Sequence, residues 1–274
     1  MLFDVAAEVT ANTRLSPDYN VISLRAPEIA QVAGPGQFVM VKPQAGIDPL
    51  LRRPFSIFER ILDASGTPVG ITLLNKRVGA GTKLLFAAEP GDRVGVLGPL
   101  GQPFVPVDPP AEAWMVAGGV GLAPFSTLDA ALKARGTPRH LFYGARSKAD
   151  LHYADHFERD GAHLHLSTED GSQGDRGRIS EPLKRALDAA PAGSRITIYA
   201  CGPTPMMRAV AALGEAAGHP VFVSLEPTMG CGMGGCYSCV VPVQRGKQRV
   251  FVRACIEGPV FESRAVAWDA LTGH

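Results

Sequence analysis

Hydrophobic positions in the first hundred residues come in short runs rich in branched side chains. The runs are Val5 to Thr10, Val21 to Leu24, Gln37 to Lys42, Phe55 to Glu59, Val69 to Leu74 and Arg93 to Leu97. Gly and Pro punctuate them at Gly34-Pro35-Gly36, Gly66-Thr67-Pro68 and Pro90-Gly91-Asp92. Short strands separated by turn residues predict a small antiparallel β-barrel, interrupted by one helix from about Ala80 to Ala87. After Pro109-Pro110 the rhythm changes. Buried-strand patterns at Trp114 to Ala117, His140 to Tyr143, His163 to Ser167, Ile196 to Ala200 and Val221 to Ser224 alternate with helical ones. The helical stretches are Ala123 to Ala134, Ala149 to Arg159, Ile179 to Ala189 and Pro205 to Ala217. That alternation predicts βα units around a parallel sheet.

The expected fold class is therefore β followed by α/β. A β-barrel domain spans residues 1–104, a parallel-sheet nucleotide-binding domain 105–226, and a cysteine-bearing region 227–274. The first junction is rich in proline (Pro103, Pro106, Pro109, Pro110). There is no internal repeat and no low-complexity segment.

Composition narrows the partners. Lys and Arg number 27 against 26 Asp and Glu, a net charge of +1, which argues against nucleic acid or an anionic membrane as the main partner. The longest apolar run, Ala113 to Phe125, has 13 residues, short of a membrane span. Met1-Leu2-Phe3-Asp4 does not open a secretory signal. Four of the five cysteines crowd into 25 residues, unlike a disulfide framework. A soluble cytoplasmic protein is expected.

The crowding carries the chemistry. Cys231, Cys236 and Cys239 have the spacing C-x4-C-x2-C, and Cys255 follows; plant-type [2Fe–2S] clusters are held this way. Four cysteines can also bind zinc, but structural zinc sites usually combine two short-spaced pairs, and this chain has a triplet plus a single. The seven histidines share no metal-ligand spacing. His152 and His156 lie four apart on one expected helix, without the acidic residue of a metalloprotease pattern.

Upstream, Arg52-Arg53-Pro54-Phe55-Ser56 opens a strand. It reads either as a surface basic pair or as a diphosphate-pairing arginine with a hydrogen-bonding serine. Val78-Gly79-Ala80-Gly81-Thr82 is either an ordinary glycine turn or a helix start facing an anion, with Thr82 as its cap. Met115 to Phe125 runs from a strand through Gly118, Gly119 and Gly121 to Pro124. This is a strand–loop–helix anion site suited to a nucleotide diphosphate, or else a packing turn. Ile196 to Ala200 ends in Cys201-Gly202-Pro203-Thr204-Pro205, which puts Cys201 at the carboxyl end of a strand, where open α/β sheets bind ligands. A lone cysteine there is otherwise a small buried apolar residue.

Taken in order, these motifs resemble the ferredoxin–NADP⁺ reductase superfamily. Arg53-Pro54-Phe55-Ser56 looks like its R-x-[YF]-S flavin motif, Gly119 to Pro124 like its pyridine-nucleotide loop, and Cys201-Gly202-Pro203 like its C-G-P turn. Cys231 to Cys239 followed by Cys255-Ile-Glu-Gly-Pro-Val-Phe-Glu is similar to the electron-transfer subunit of bacterial NAD-dependent dihydroorotate dehydrogenase, the PyrK family. The resemblance covers nearly the whole chain. It implies that Arg53, Pro54, Phe55, Ser56, Leu74, Asn75, Lys76, Gly81 and Thr82 bind FAD. It also implies that Gly118, Gly119, Gly121 and Pro124 serve NAD(H), that Cys201 is a catalytic position, and that Cys231, Cys236, Cys239 and Cys255 ligate the cluster. Family members often carry an aromatic residue where Asn75 stands. Electrons would run between NAD and a catalytic dihydroorotate dehydrogenase flavoprotein, in a two-plus-two heterotetramer serving pyrimidine biosynthesis. A related reductase subunit, of ferredoxin:NADP⁺ oxidoreductase, hydrogenase or sulfite reductase type, has the same modules. Glu169-Asp170 favours NADH over NADPH, whereas nearby Arg176 and Arg178 point the other way.

Overall fold

The computed structural model describes residues 1–271. Seven strands build the N-terminal sheet: β1 (Phe3–Arg14), β2 (Tyr19–Arg25), β3 (Phe38–Lys42), β4 (Arg53–Ser56), β5 (Glu59–Leu62), β6 (Pro68–Lys76) and β7 (Arg93–Leu100). They pair antiparallel in the order β4-β3-β7-β1-β2-β6-β5. The sheet curls because the link from β4 to β5 reaches across it. Ile57 N–H donates to the Gln37 carbonyl (3.0 Å) and Phe58 N–H to that of Thr72 (2.9 Å). This link splits the single strand expected over Phe55 to Glu59, since Ile57 and Phe58 are both buried there. Helix α1 (Pro27–Val32), which the sequence pattern did not reveal, buries Ile29 and Ala30 on the barrel core. Helix α2 (Ala80–Ala87) lies where expected.

The second sheet contains β8 (Glu112–Gly118), β9 (Arg139–Ala145), β10 (His163–Thr168), β11 (Asp175–Arg176), β12 (Ile196–Cys201) and β13 (Val221–Ser224). All of these pair parallel, in the order β11-β10-β9-β8-β12-β13. Helices α3 (Ala123–Ala134), α4 (Ala154–Arg159), α5 (Ser180–Ala189) and α6 (Thr204–Ala216) connect them. The long helix expected over Ala149 to Arg159 is broken. Tyr153 takes a left-handed φ of 61° and packs edge-on against Phe58 of the barrel at 4.9 Å. His152 and His156 therefore do not share one helix.

After β13 the chain forms the cysteine loop, then a hairpin of β14 (Val240–Arg245) and β15 (Gln248–Arg253) and the short helix α7 (Ala254–Glu257). It returns as β16 (Val260–Glu262), antiparallel to β13 at the edge of the parallel sheet. One hydrophobic core unites all three regions. Phe38, Met40, Leu97 and Leu100 of the barrel pack with Trp114, Ile198 and Val223 of the sheet and with Cys239, Val241, Val252 and Cys255.

Three histidines from two neighbouring strands meet on this sheet. His140 and His163 are register partners on β9 and β10, and His165 follows two residues later on the same face. His140 Nδ1 lies 3.3 Å from His165 Nε2, with Glu112 Oε2 3.7 Å from His140 Nε2. Burial, followed by the neighbouring imidazoles, pushes His140 down to about 4. Among the described residues, no three or more His, Cys, Asp or Glu are grouped as a single metal ion requires.

Candidate functional site

The barrel supplies an anion site. Arg53, at the start of β4, lies against Gly81 in the first turn of α2. Its Nη1 donates to the carbonyls of Leu51 (3.0 Å) and Arg52 (3.2 Å). Arg53 has no carboxylate partner among the described ion pairs, in contrast to Arg52, which pairs with Asp4 at 2.9 Å. A guanidinium without a carboxylate partner among the described ion pairs, beside a helix N-terminus with no acidic residue in its first turn, suits a diphosphate, so the residues fit a dinucleotide such as FAD. The expected helix cap is corrected. Gly79, which has no side-chain oxygen, holds the cap position, and Thr82 stands three residues inside. Thr82 Oγ1 reaches back to accept from the N–H groups of Gly79 (2.8 Å) and Val78 (2.9 Å).

Strand alternation separates the three β6 residues. Leu74 packs with Val21, Phe58 and Ala123, and Lys76 on the same face lines the cleft between barrel and sheet. Asn75 points the other way and is fully buried. It donates to Asn20 Oδ1 (2.7 Å) and to the Thr82 carbonyl (3.0 Å), and Asn20 in turn donates to Asn12 Oδ1 (2.6 Å). Asn12 then donates to the carbonyls of Phe86 (3.2 Å) and Ala88 (2.7 Å) at the end of α2. This ladder docks α2 onto the barrel. The Asn75 side chain therefore belongs to helix docking rather than to a flavin-stacking face.

A cleft of about 990 Å³ runs along the carboxyl ends of the parallel strands. Gly118, Gly119 and Val120 line it after β8, Arg146 after β9, Glu169 after β10, and Gly202 to Thr204 after β12; Glu226 and Val240 to Pro242 close one side. Gly121 and Pro124 do not reach it. Gly121 sits where a Cβ would overlap the Cys201 carbonyl carbon (2.6 Å) and the Gly202 nitrogen (2.7 Å), so it lets two glycine turns close on each other. Pro124 is buried in the first turn of α3, behind a 3-10 turn at Gly119–Leu122. The cleft therefore offers backbone at Gly118 and Gly119 and is shaped from behind by Gly121 and Pro124.

Cys201 is fully buried, and its thiol sits 3.7 Å from Glu226 Oε1. Burial first and Glu226 second push it well above the usual thiol range, so it is a neutral thiol at neutral pH. Glu226 is open to the cleft, although the protein packed around it favours its protonated form. On the barrel side, Tyr19 OH donates to Asp150 Oδ1 (3.1 Å), with Lys76 Nζ 3.9 Å from the same oxygen. Tyr19, Asp150, Arg146 and Glu226 carry no motif, so a sequence reading passes over them.

The five cysteines are all free. In the loop, Gly232, Gly234 and Tyr237 adopt left-handed φ angles of 74°, 85° and 59°. These turns aim the N–H groups of Met233 (3.4 Å) and Gly235 (3.3 Å) at Cys231 Sγ. Cys239 Sγ lies 3.2 Å from Cys255 Sγ, while Cys236 Sγ lies 3.1 Å from Ser238 Oγ. That contact, followed by the Ser238 amide, lowers Cys236 to about 6. Burial, then Cys239, raises Cys255 to about 12. A mononuclear zinc site needs four ligands around one point, whereas a [2Fe–2S] cluster needs two cysteines per iron. A close Cys239–Cys255 pair and a loop that offers N–H groups to Cys231 Sγ fit the two-iron arrangement.

Residues 226–267 match the family described as the iron-sulfur cluster binding domain of dihydroorotate dehydrogenase B. Residues 115–212 match the oxidoreductase NAD-binding domain family. A curated relative from Desulforamulus reducens, named dihydroorotate dehydrogenase B (NAD(+)), electron transfer subunit, is 38% identical over 96% of this chain and 98% of its own. The chain belongs to this family of electron transfer subunits. A member from Geobacillus kaustophilus with the same name is 39% identical over 87% of this chain and 88% of its own. Among solved structures, one described as an NADH-dependent reduced ferredoxin-NADP oxidoreductase superposes with a TM-score of 0.84 at 28% identity, covering 97% of this chain and 91% of that one. A ferredoxin NADP⁺ reductase from Neisseria gonorrhoeae shares the fold at a TM-score of 0.64 and 17% identity, over 79% of this chain and 92% of its own. Membership makes the chain an oxidoreductase subunit that works with a catalytic partner. Among the described residues no helix is long and apolar enough to cross a membrane.

Proposed function

We propose that this subunit relays electrons between NAD(H) in the cleft and a catalytic dihydroorotate dehydrogenase flavoprotein, through FAD on the barrel and a [2Fe–2S] cluster at Cys231, Cys236, Cys239 and Cys255. One observation carries the reading: strand β3 pairs with β4, which bears Arg53 to Ser56, and its Met40 packs on the cysteine loop at Gly232. The two cofactor sites are thus neighbours across a single strand. When bound, the flavin supplies the exchange between a hydride pair and single electrons.

The residues take the following parts. Arg53 neutralises the FAD diphosphate, together with the α2 N-terminus at Gly81 and Thr82. Pro54 holds the strand edge, and Phe55 and Ser56 meet the flavin ring. Leu74 and Lys76 continue that surface, and Asn75 contributes through its backbone. Gly118 and Gly119 admit the NAD(H) diphosphate, with Gly121 and Pro124 as supports. Cys201, expected to be catalytic, keeps its thiol buried and acts by holding Glu226, which faces the cleft. Cys231 and Cys236, the less buried pair, lie toward the partner subunit.

The division into residues 1–104, 105–226 and 227–274 belongs to the same proposal, as do a two-plus-two assembly and a cytoplasmic setting. A setting that keeps all five thiols reduced is consistent with their being free. The likeness to the NADH-dependent reduced ferredoxin-NADP oxidoreductase structure supports a second reading, in which the same relay serves ferredoxin. Arg146 and Arg178 in the cleft then face a 2′-phosphate. Anaerobic purification with acid-labile sulfide and flavin analysis tests both. Equal FAD and cluster content and bleaching by NADH are expected, and co-purification of a dihydroorotate-oxidising partner separates the first reading from the second. A colourless, zinc-containing protein contradicts both.

A further inference from the structure

Resting on that relay reading, we infer that Met40 and Gly232 are positioning residues that set the gap between the flavin strand and the cysteine loop. Met40 is fully buried in the middle of β3, opposite Pro54 in the β3–β4 register. Its side chain fills the space above the Cα of Gly232. A Cβ there would overlap Met40 Cγ and come within 3.0 Å of its Sδ and 3.2 Å of Leu100 Cδ1. The φ of 74° at Gly232 independently excludes most side chains. A single packed side chain, Met40, therefore joins the strand that pairs with the flavin motif to Cys231-Gly232.

The second cysteine segment is held by the same edge of the barrel. Gln102 N–H donates to the Gly258 carbonyl (2.6 Å) and Gln102 Nε2 to that of Ile256 (3.0 Å). Gly101 packs against Gly258 and Pro259. The two cysteine-bearing segments are thus held by the neighbouring strands β3 and β7, one through Met40 and the other through Gly101 and Gln102 just after β7. Electron transfer weakens exponentially with separation, and a close-packed contact has few alternative arrangements. Each NADH gives up a hydride, becoming NAD⁺. A bound flavin would take that pair and yield it one electron at a time to the cluster, releasing one proton to water, and the partner subunit's flavin would take the first electron on from the cluster before the second crosses. Met40 and Gly232 touch neither electron nor proton; they fix the distance of each pass.

The test is anaerobic stopped-flow mixing of the purified holoprotein and its variants with NADH, reading flavin and cluster bands separately, together with thermal melts and the EPR spectrum of the reduced cluster. In Gly232→Ala the flavin band should bleach at the wild-type rate while the cluster band slows severalfold, with an unchanged EPR spectrum. Met40→Ala in the same chain should recover part of that rate, because it vacates the space the new Cβ needs. The melts of the single and double variants should be non-additive, as for residues in contact. Met40→Ala alone should also alter the ratio of the two rates, which keeps the test valid if Gly232→Ala does not accumulate. A ratio unchanged in the variants, or strictly additive melts, overturns the inference. A wild-type cluster that NADH does not bleach at all defeats the relay reading itself.

Discussion

Cys239 and Cys255 lie in the core with their sulfurs 3.2 Å apart, whereas Cys231 is only partly covered and Cys236 stands at the surface. The fold treats the four cysteines of the proposed cluster as two kinds of residue. The buried pair closes the hydrophobic core shared with Met40, Leu100 and Val241, so it belongs to stability as much as to chemistry. The open pair sits on a loop of left-handed turns with Ser238 beside Cys236, and contributes little to that core. The two environments push the thiols apart: burial raises Cys255 to about 12, while the hydrogen bonds from Ser238 lower Cys236 to about 6.

The sharpest way to break this comparison is substitution. Cys255→Ser places a hydroxyl in the apolar core and should cost the cluster-free protein about 1–3 kcal/mol as well as cluster binding. Cys236→Ser should abolish cluster binding and leave the cluster-free melt near wild type. Equal destabilisation by the two in denaturant melts would erase the distinction. Next in size is reactivity. After the cluster is chelated out, Cys236 should be alkylated first at pH 7, because it is mostly thiolate above about 6. Its rate should drop when the pH is taken below that value, and mass spectrometry of the labelled peptides reads the order.

Much of this contrast was legible beforehand. The C-x4-C-x2-C spacing and Cys255 pointed to an iron-sulfur region, which the family match over residues 226–267 bears out, and the glycine-punctuated strands gave both sheets and the place of α2. Which cysteines are buried was not legible, because that depends on a core shared with Met40 and Leu100, barrel residues far earlier in the chain. The break at Tyr153 was hidden for the same reason, since a helical pattern yielded to packing against Phe58. Asn75 was assigned to the flavin surface from its place in a motif, yet strand alternation turns it toward Asn20. Glu226 and Asp150 carry no local signal at all.

Two smaller effects serve as controls away from the cysteines. Asn20→Ala removes the donor to Asn12 Oδ1 and one of the two acceptors of the Asn75 amide and should cost about 1–3 kcal/mol, with the cluster spectrum unchanged. A loss of cluster in that variant would show that barrel and cysteine loop are not separable. The last effect is that of pH on the histidine group of β9 and β10. The folded state holds His140 at about 4, below the 6.5 of a free imidazole, so the unfolded chain binds more protons between those values. Stability contributed by neutral His140 is present above about 6.5 and is lost as pH falls toward 4. Urea melts across that window should show the decline, and His140→Asn should flatten it.

The most direct test of the relay is the order of bleaching when NADH meets the anaerobic, fully loaded subunit without its partner. The account predicts that the flavin band falls first and the cluster band follows at a rate independent of NADH concentration, because the electron crosses from the β4 strand to the Cys231–Cys239 loop within one chain. Cluster reduction that precedes flavin reduction, or that requires the partner subunit, would contradict it.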